Sequence, residues 1–160
     1  MRKIWIAFLM MVPCLFAQGS EKNCKEVGGA VLTNFLPTPE QGTKGTTLGT
    51  ATGDLRGGLG VDALSINPGP NGTTVYHVQH HWVTEAGDTI FLKDAELTTF
   101  PPSISGLVAL KYIDDVTITG GTGRFAGANG TLAVFGAIDL KQGQLILRYQ
   151  GTVCFAQPEQ

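Results

Sequence analysis

Apolar and polar residues alternate along most of this chain, in short runs that are separated by turn-forming residues. A period of two is typical of β-strands that bury one face, and no segment carries the 3.6-residue stripe of an amphipathic helix. Glycine, proline and asparagine clusters, such as those at 67–72 and 101–102, separate the runs. The pattern predicts eight antiparallel strands, at 25–33, 46–56, 59–66, 73–84, 89–99, 107–119, 130–139 and 143–155.

Regularly spaced strands without helices are typical of a β-sandwich or an up-and-down barrel. An eight-stranded barrel has a lumen that is filled by side chains or holds one small ligand. The last predicted strand indicates which side chains would face such a lumen, because its apolar residues alternate with polar ones. The apolar set is Leu145, Leu147, Tyr149, Val153 and Phe155. We expect these residues to face inward and Cys154 to face outward.

The stretch from Val116 to Leu140 contains a glycine-dense link between two predicted strands. The glycines at 120, 121, 123, 127 and 130 can adopt the positive φ angles that a tight link requires. Phe125 is the one large apolar side chain in the link, and we expect it to plug the end of the sheet. A phosphate-binding loop is the alternative for this spacing, but such a loop should open a helix, whereas a strand pattern follows Gly130.

The segment Ile118–Gly130, ITGGTGRFAGANG, resembles the glycine-rich segment shared by the allene oxide cyclase-like and dirigent-like barrel proteins, which include bacterial secreted members. The strand pattern extends this resemblance over most of the chain. The resemblance favours the barrel and implies an all-β fold, an eight-stranded antiparallel up-and-down β-barrel of the calycin kind. Members of both families commonly form trimers, so it also implies a homo-oligomer. No acid of this chain outside the segment can be aligned with a family acid.

The first 17 residues have the features of a cleavable signal peptide. Two basic residues precede an apolar run at 4–16 that is too short to span a bilayer. We expect cleavage after Ala17, which leaves residues 18–160 as a single barrel domain that is secreted or periplasmic and free of the membrane. A lipoprotein anchored at Cys14 is the alternative. After removal of the signal the net charge is slightly negative, and the basic residues are scattered along the chain. This pattern does not favour a nucleic-acid partner.

Removal of the signal leaves two cysteines, Cys24 near the start of the domain and Cys154 near its end. An even pair in an exported chain is typical of a disulfide. Closing a barrel makes the first and last strands neighbours, which would bring these two residues together. We therefore predict a Cys24–Cys154 disulfide, with two free thiols as the alternative.

The predicted hairpin 73–99 carries all three histidines of the chain. With Glu85 opposite Asp88 across the turn, opposed residue numbers sum to 173, which places His77 opposite Glu96 and Trp82 opposite Phe91. The face with the aromatic residues should line the lumen. The other face, with His77, Gln79, Asp94 and Glu96, should then meet water.

A slip of one residue would reverse these faces and enclose the polar set. His77, Asp94 and Glu96 would then form a buried acid/base cluster able to move a proton on a bound ligand. We expect no metal, because His77 and His81 lie too far apart on one strand to share an ion. We also expect no cofactor.

Three functions are compatible with these features. The first is a small barrel that binds a small hydrophobic molecule, lipid-like or aromatic, through Tyr76, Trp82, Phe91 and Tyr149. The second, implied by the resemblance, is an isomerase or cyclase that steers a reactive intermediate with His77, Asp94 or Glu96. The third is a structural or interaction barrel with a packed lumen. The sequence does not decide whether the protein is an enzyme.

Overall fold

The computed structural model describes residues 23–102, 104 and 106–156, so the predicted signal peptide at 1–17 lies outside the described residues. No helix within these ranges is long and apolar enough to cross a membrane. The ten strands are β1 Asn23–Phe35, β2 Gly45–Ala51, β3 Gly57–Pro68, β4 Thr74–Thr84, β5 Thr89–Leu92, β6 Ala95–Thr99, β7 Leu107–Tyr112, β8 Val116–Gly121, β9 Asn129–Asp139 and β10 Gln144–Phe155.

These ten strands occupy eight positions around a closed antiparallel barrel. Both β5 and β6 pair with β4, and both β7 and β8 pair with β9, so each couple is one predicted strand with an interruption. The interruptions fall at Lys93–Asp94 and at 113–115. The predicted fold class, an eight-stranded antiparallel barrel, is confirmed.

The barrel closes where β1 pairs with β10 along almost their whole length, from Asn23 opposite Phe155 to Asn34 opposite Gln144. Cys24 and Cys154 are direct partners in this ladder and form a disulfide. The predicted bond is confirmed, and it lies within the ladder itself.

The turn between β4 and β5 is one residue longer than the sequence pattern predicted. The N–H of Thr84 donates to the carbonyl oxygen of Asp88 at 2.8 Å, which closes a three-residue loop. Gly87 in this loop has a φ of +88°, a left-handed conformation that favours glycine. Three-residue hairpin loops with a glycine at this position are common, and they shift the strand register relative to a two-residue turn.

The longer turn changes which side chains of β5 face inward. Trp82 pairs with Ile90, so the predicted Trp82–Phe91 pair is wrong, and Phe91 is half exposed on the outer wall. One extra residue at the Lys93–Asp94 interruption then restores the predicted register on β6. His77 pairs with Glu96 as predicted.

One end of the lumen is packed solid by large side chains. The predicted plug is confirmed, since Phe125 is fully buried and packs against Phe155 with ring centroids 5.5 Å apart. The inward set predicted for the last strand is also buried throughout. We call this end the closed end; it is formed by residues Leu55, Trp82, Phe125, Tyr149 and Phe155.

The Tyr149 hydroxyl group anchors the segment that covers the closed end. It accepts a hydrogen bond from the N–H of Leu55 at 2.9 Å and donates to the carbonyl oxygen of Thr52 at 2.7 Å. The Trp82 indole N–H donates to the carbonyl of Leu55 at 2.8 Å and meets the Tyr149 ring edge-on. Gly29 lies beneath this contact, where a Cβ atom would be 2.6 Å from the Tyr149 oxygen. The strand is therefore restricted to glycine there.

Replacing both cysteines with alanine should lower the free energy of unfolding by about 2–5 kcal/mol, because the bond links ends of the chain 130 residues apart. Urea unfolding with and without reductant measures the effect. Reductant should destabilise the native protein and leave the double variant unchanged. Equal stability of the oxidised protein and the variant would show that strand pairing alone holds the closure.

The Tyr149→Phe variant keeps the ring but leaves the N–H of Leu55 and the carbonyl of Thr52 without their partner. We expect a loss of about 1–3 kcal/mol in the free energy of unfolding, the cost of unpaired buried polar groups. Tyr76→Phe is the matched control, since the Tyr76 hydroxyl group makes no hydrogen bond to any residue that the structure describes, and it should change the free energy of unfolding by less than about 0.5 kcal/mol. Urea titrations of both variants make the comparison.

Candidate functional site: the open end of the lumen

The lumen opposite the closed end contains a cavity of about 220 Å³. We call it the lumen cavity. Its wall is mainly aliphatic and includes Val61, Val78, Leu97, Leu110, Ile138 and Leu147. Inward-facing positions of nearly every strand contribute to it, so the cavity is a property of the barrel rather than of one hairpin. It can hold an apolar group out of water.

The cavity has its mouth where β1, β3 and β9 end. Phe35, Ile66 and Leu140 line it there, and all three are substantially exposed to solvent. Lys44, also exposed, precedes β2 at the same mouth. Gly45 follows it and brings no side chain into the opening. The mouth is therefore apolar with one cationic side chain beside it.

His80 and Tyr112 form a polar pair on the inward face, with His80 Nε2 2.7 Å from the Tyr112 hydroxyl oxygen. Burial lowers the pKa of His80 to about 4; the Asp94 carboxylate opposes this shift, and His81 adds to it slightly. Burial also raises the pKa of Tyr112 well above its usual value. Both groups are therefore neutral near pH 7.

Sequence reasoning did not select His80 or Tyr112 as site residues. The alternation on β4 already placed His80 on the face that lines the lumen, and this was the available signal. The partner could not be read from the sequence, because Tyr112 lies on β7, which β6 separates from the strand of His80, and alternation gives no register between strands that are not paired. Tyr112 lines the cavity, whereas His80 lies behind it.

Two threonines also line the cavity, Thr33 on β1 and Thr47 on β2. Thr33 pairs with Gly49 and Thr47 pairs with Phe35, so the two threonines are diagonal neighbours on the inward face. Both are buried, and their hydroxyl oxygens have no hydrogen-bond partner among residues 23–102, 104 and 106–156. They are buried polar groups of the wall that make no hydrogen bond within the part of the chain that the structure describes.

The four residues predicted to bind a ligand lie in three different places. Tyr76 lines the lumen cavity. Trp82 and Tyr149 belong to the closed end, where their polar atoms hold the covering segment, and they are not among the cavity-lining residues. Phe91 lies on the outer wall. The structure therefore brings only Tyr76 to the cavity.

The three residues predicted as acid/base groups lie together on the outer wall, as the favoured face assignment required. His77 Nε2 is 3.8 Å from Asp94 Oδ2, and both side chains are 40% exposed. With Glu96, Asp114 and Asp115 they line an outer groove of about 380 Å³. Among the described residues, no three histidine, cysteine or acidic side chains are arranged to hold a metal ion.

The buried His80 should make stability depend on pH in the acidic range. Between its unfolded pKa of 6.5 and its folded pKa of about 4, the unfolded chain binds a proton that the folded barrel does not. Stability from this group is therefore complete above pH 6.5 and decreases as the pH falls, by up to about 3 kcal/mol. His80→Gln should flatten this part of the stability profile, and His77→Gln should retain most of it. If stability depends on pH between 4 and 6.5 in the same way in His80→Gln as in the wild type, His80 is not the group responsible.

Comparison with known proteins gives a limited result. No family model matches the chain, and no curated protein is detectably similar to it. Two solved structures of pterocarpan synthase dirigent proteins match it: one is 13% identical, with a TM-score of 0.38, over 89% of this chain and 91% of that protein. The other is 15% identical, with a TM-score of 0.35, over 87% of this chain and 99% of that protein. Both are dirigent proteins, the kind of protein whose glycine-rich segment resembles that of this chain. At these TM-scores the similarity carries no argument about chemistry. The barrel fold is established by the strand pairing of this chain itself.

Proposed function

We propose that the barrel binds a small, mostly apolar molecule in its lumen. The observation that carries this proposal is the lumen cavity, about 220 Å³ in volume, with an aliphatic wall and an open mouth. An apolar cavity of roughly 150 Å³ admits benzene. By the same scale, this cavity accommodates a compact molecule of on the order of ten non-hydrogen atoms. Burial of its apolar surface drives the binding.

The cavity also argues against a barrel that serves only as a packed scaffold. Unfilled volume in a protein interior destabilises the fold by roughly 24 cal/mol per Å³ where the site cannot collapse. The closed end shows that this barrel can be filled with aromatic side chains. The open half instead carries small residues such as Gly45, Thr47 and Ala63 along its wall. A binding role explains why that volume is kept.

The setting that fits this function is an oxidising compartment outside the cytosol. The Cys24–Cys154 disulfide supports this, because such bonds persist in secreted and periplasmic proteins. The predicted signal peptide would provide the export. A trimeric or other homo-oligomeric assembly remains a prediction from the family resemblance.

An isomerase or cyclase activity remains the alternative function. The predicted acid/base residues His77, Asp94 and Glu96 lie in the outer groove and do not line the lumen cavity. A reaction at these groups would take place on the outer wall of the barrel.

Binding is tested with indane, a bicyclic hydrocarbon of suitable size, by following backbone amide chemical shifts during titration of the oxidised protein. We expect saturable shifts at cavity residues such as Val61 and Leu147. Ala63→Phe places a ring in the cavity and should abolish these shifts without loss of stability. Ala137→Phe is the matched control, because Ala137 lies on the outer face opposite the exposed Ile146.

Unchanged indane binding by Ala63→Phe would place the ligand elsewhere, and the absence of any saturable shift at the solubility limit of indane would overturn the proposal.

A further inference from the structure

Three buried polar side-chain atoms have no hydrogen-bond partner within the part of the chain that the structure describes. They are Thr33 Oγ1, Thr47 Oγ1 and His80 Nδ1. An unpartnered buried polar group costs about 1–3 kcal/mol, and native proteins contain few of them. Their position therefore needs a physical reason.

All three atoms lie in one band of the barrel wall. Thr47 pairs with Val61, and Val61 pairs with His80, so these residues form a continuous row across β2, β3 and β4. Thr33 is the diagonal neighbour of Thr47 on β1. The unpartnered atoms are thus concentrated beside the lumen cavity rather than scattered through the core.

The same band would be more stable with valine in place of either threonine. Valine has nearly the shape of threonine, favours β-strands and brings no hydroxyl group to satisfy. The neighbouring wall residues Val31, Val61 and Val78 show that the fold accepts valine here. We therefore expect the two hydroxyl groups to lower the stability of the barrel as long as no partner from outside the chain meets them.

A partner for these hydroxyl groups approaches from the cavity, because both side chains leave the sheet on its inward face and line the cavity there. Thr33 is 1% exposed and Thr47 is 6% exposed, so bulk solvent does not reach them directly. Both side chains line the cavity, and rotation about χ1 moves a threonine hydroxyl group among three staggered positions. A ligand in the cavity can therefore draw either hydroxyl group toward itself.

Tyr112 adds a third donor to the same wall. An unpartnered buried nitrogen is more tolerable as an acceptor than as an N–H donor. This assigns the His80 proton to Nε2, from which it is donated to the Tyr112 oxygen. The hydroxyl hydrogen of Tyr112 then remains free to donate into the cavity that Tyr112 lines.

The acceptor on the ligand is a neutral group. Burying an ionised carboxylate costs far more than burying a carbonyl group unless a cation pairs with it. The cationic side chain among the residues that line the cavity is Lys44, which is exposed at the mouth. Thr33 and Thr47 each lie two residues inside the mouth, before Phe35 and after Gly45 respectively, and both are buried beside Val31 and Val61.

We propose that the lumen ligand is a neutral oxygenated hydrocarbon whose oxygen accepts hydrogen bonds from Thr33 and Thr47. This inference rests on the proposed binding function and narrows it to a chemical class. Ketones, esters and ethers of compact, apolar shape belong to that class. The apolar wall holds the hydrocarbon part, and the hydroxyl groups select for the oxygen.

The test compares indane with 1-indanone, which has the same ring skeleton and one added carbonyl group. Dissociation constants for both probes are measured by amide shift titration on the wild type and on Thr33→Val/Thr47→Val. We expect the preference for 1-indanone over indane to fall about three- to tenfold in the double variant, the value of one or two hydrogen bonds. The double variant should also unfold at a higher urea concentration than the wild type.

Two further variants control for general effects. Thr84→Val makes the same change at a buried threonine whose oxygen is partnered by the N–H of Asp88, and it should lower stability without altering the probe preference. Thr33→Ser/Thr47→Ser keeps both hydroxyl groups and should retain the preference.

The outcomes separate the two proposals. If indane and 1-indanone both bind and their ratio is the same in the wild type and the valine variant, the inference is wrong while the binding function stands. If the valine variant is less stable than the wild type, the hydroxyl groups already have partners in the free protein, such as bound water, and the inference is also wrong. If neither probe binds the wild type, the binding function itself fails.

Discussion

The pairing of the first strand with the last is the interaction on which the rest of this structure depends. It joins β1 to β10 from Asn23 to Asn34 and leaves no free edge between the ends of the sheet. Only a closed barrel has an interior, so both the packed plug and the lumen cavity exist because of this ladder. The Cys24–Cys154 disulfide reinforces it at one end.

The two ends of the lumen are built for different purposes. At the closed end, buried aromatic rings satisfy their polar atoms with the backbone of the segment that covers them, and every such atom of Trp82 and Tyr149 has a partner. At the open end, small and aliphatic side chains leave space, and the hydroxyl groups of Thr33 and Thr47 have no partner in the described part of the chain. The first arrangement maximises stability, whereas the second gives up stability in favour of a cavity.

Changes of one residue in strand register decide which side chains face the lumen and which face the outer wall of the barrel. The three-residue loop at Glu85–Gly87 turns Phe91 outward, and the extra residue at Lys93–Asp94 returns the following strand to its earlier register. His77 and Glu96 consequently remain on the outer wall, while His80 faces inward and meets Tyr112. Because side chains alternate with a period of two, each such step reverses the side on which a residue acts.

The sequence by itself determined the fold class, the disulfide, the Phe125 plug and the inward face of the last strand. The disulfide, the plug and the inward face depend on an even pair of cysteines, on glycine conformation and on local alternation, which can be read along the chain; alternation left a sandwich and a barrel open, and the resemblance of the glycine-rich segment favoured the barrel. The sequence also placed His77 opposite Glu96 correctly. It placed Phe91 on the inward face, which is wrong, because a loop that is longer by one residue does not change the hydrophobic pattern. Only the tertiary structure decided that the lumen is half packed and half open, and that Thr33, Thr47, His80 and Tyr112 lie in one band. Those residues come from four strands, and their proximity follows from the register of successive strand pairs, from β1 to β4 and on through β6 to β7, which no local pattern encodes.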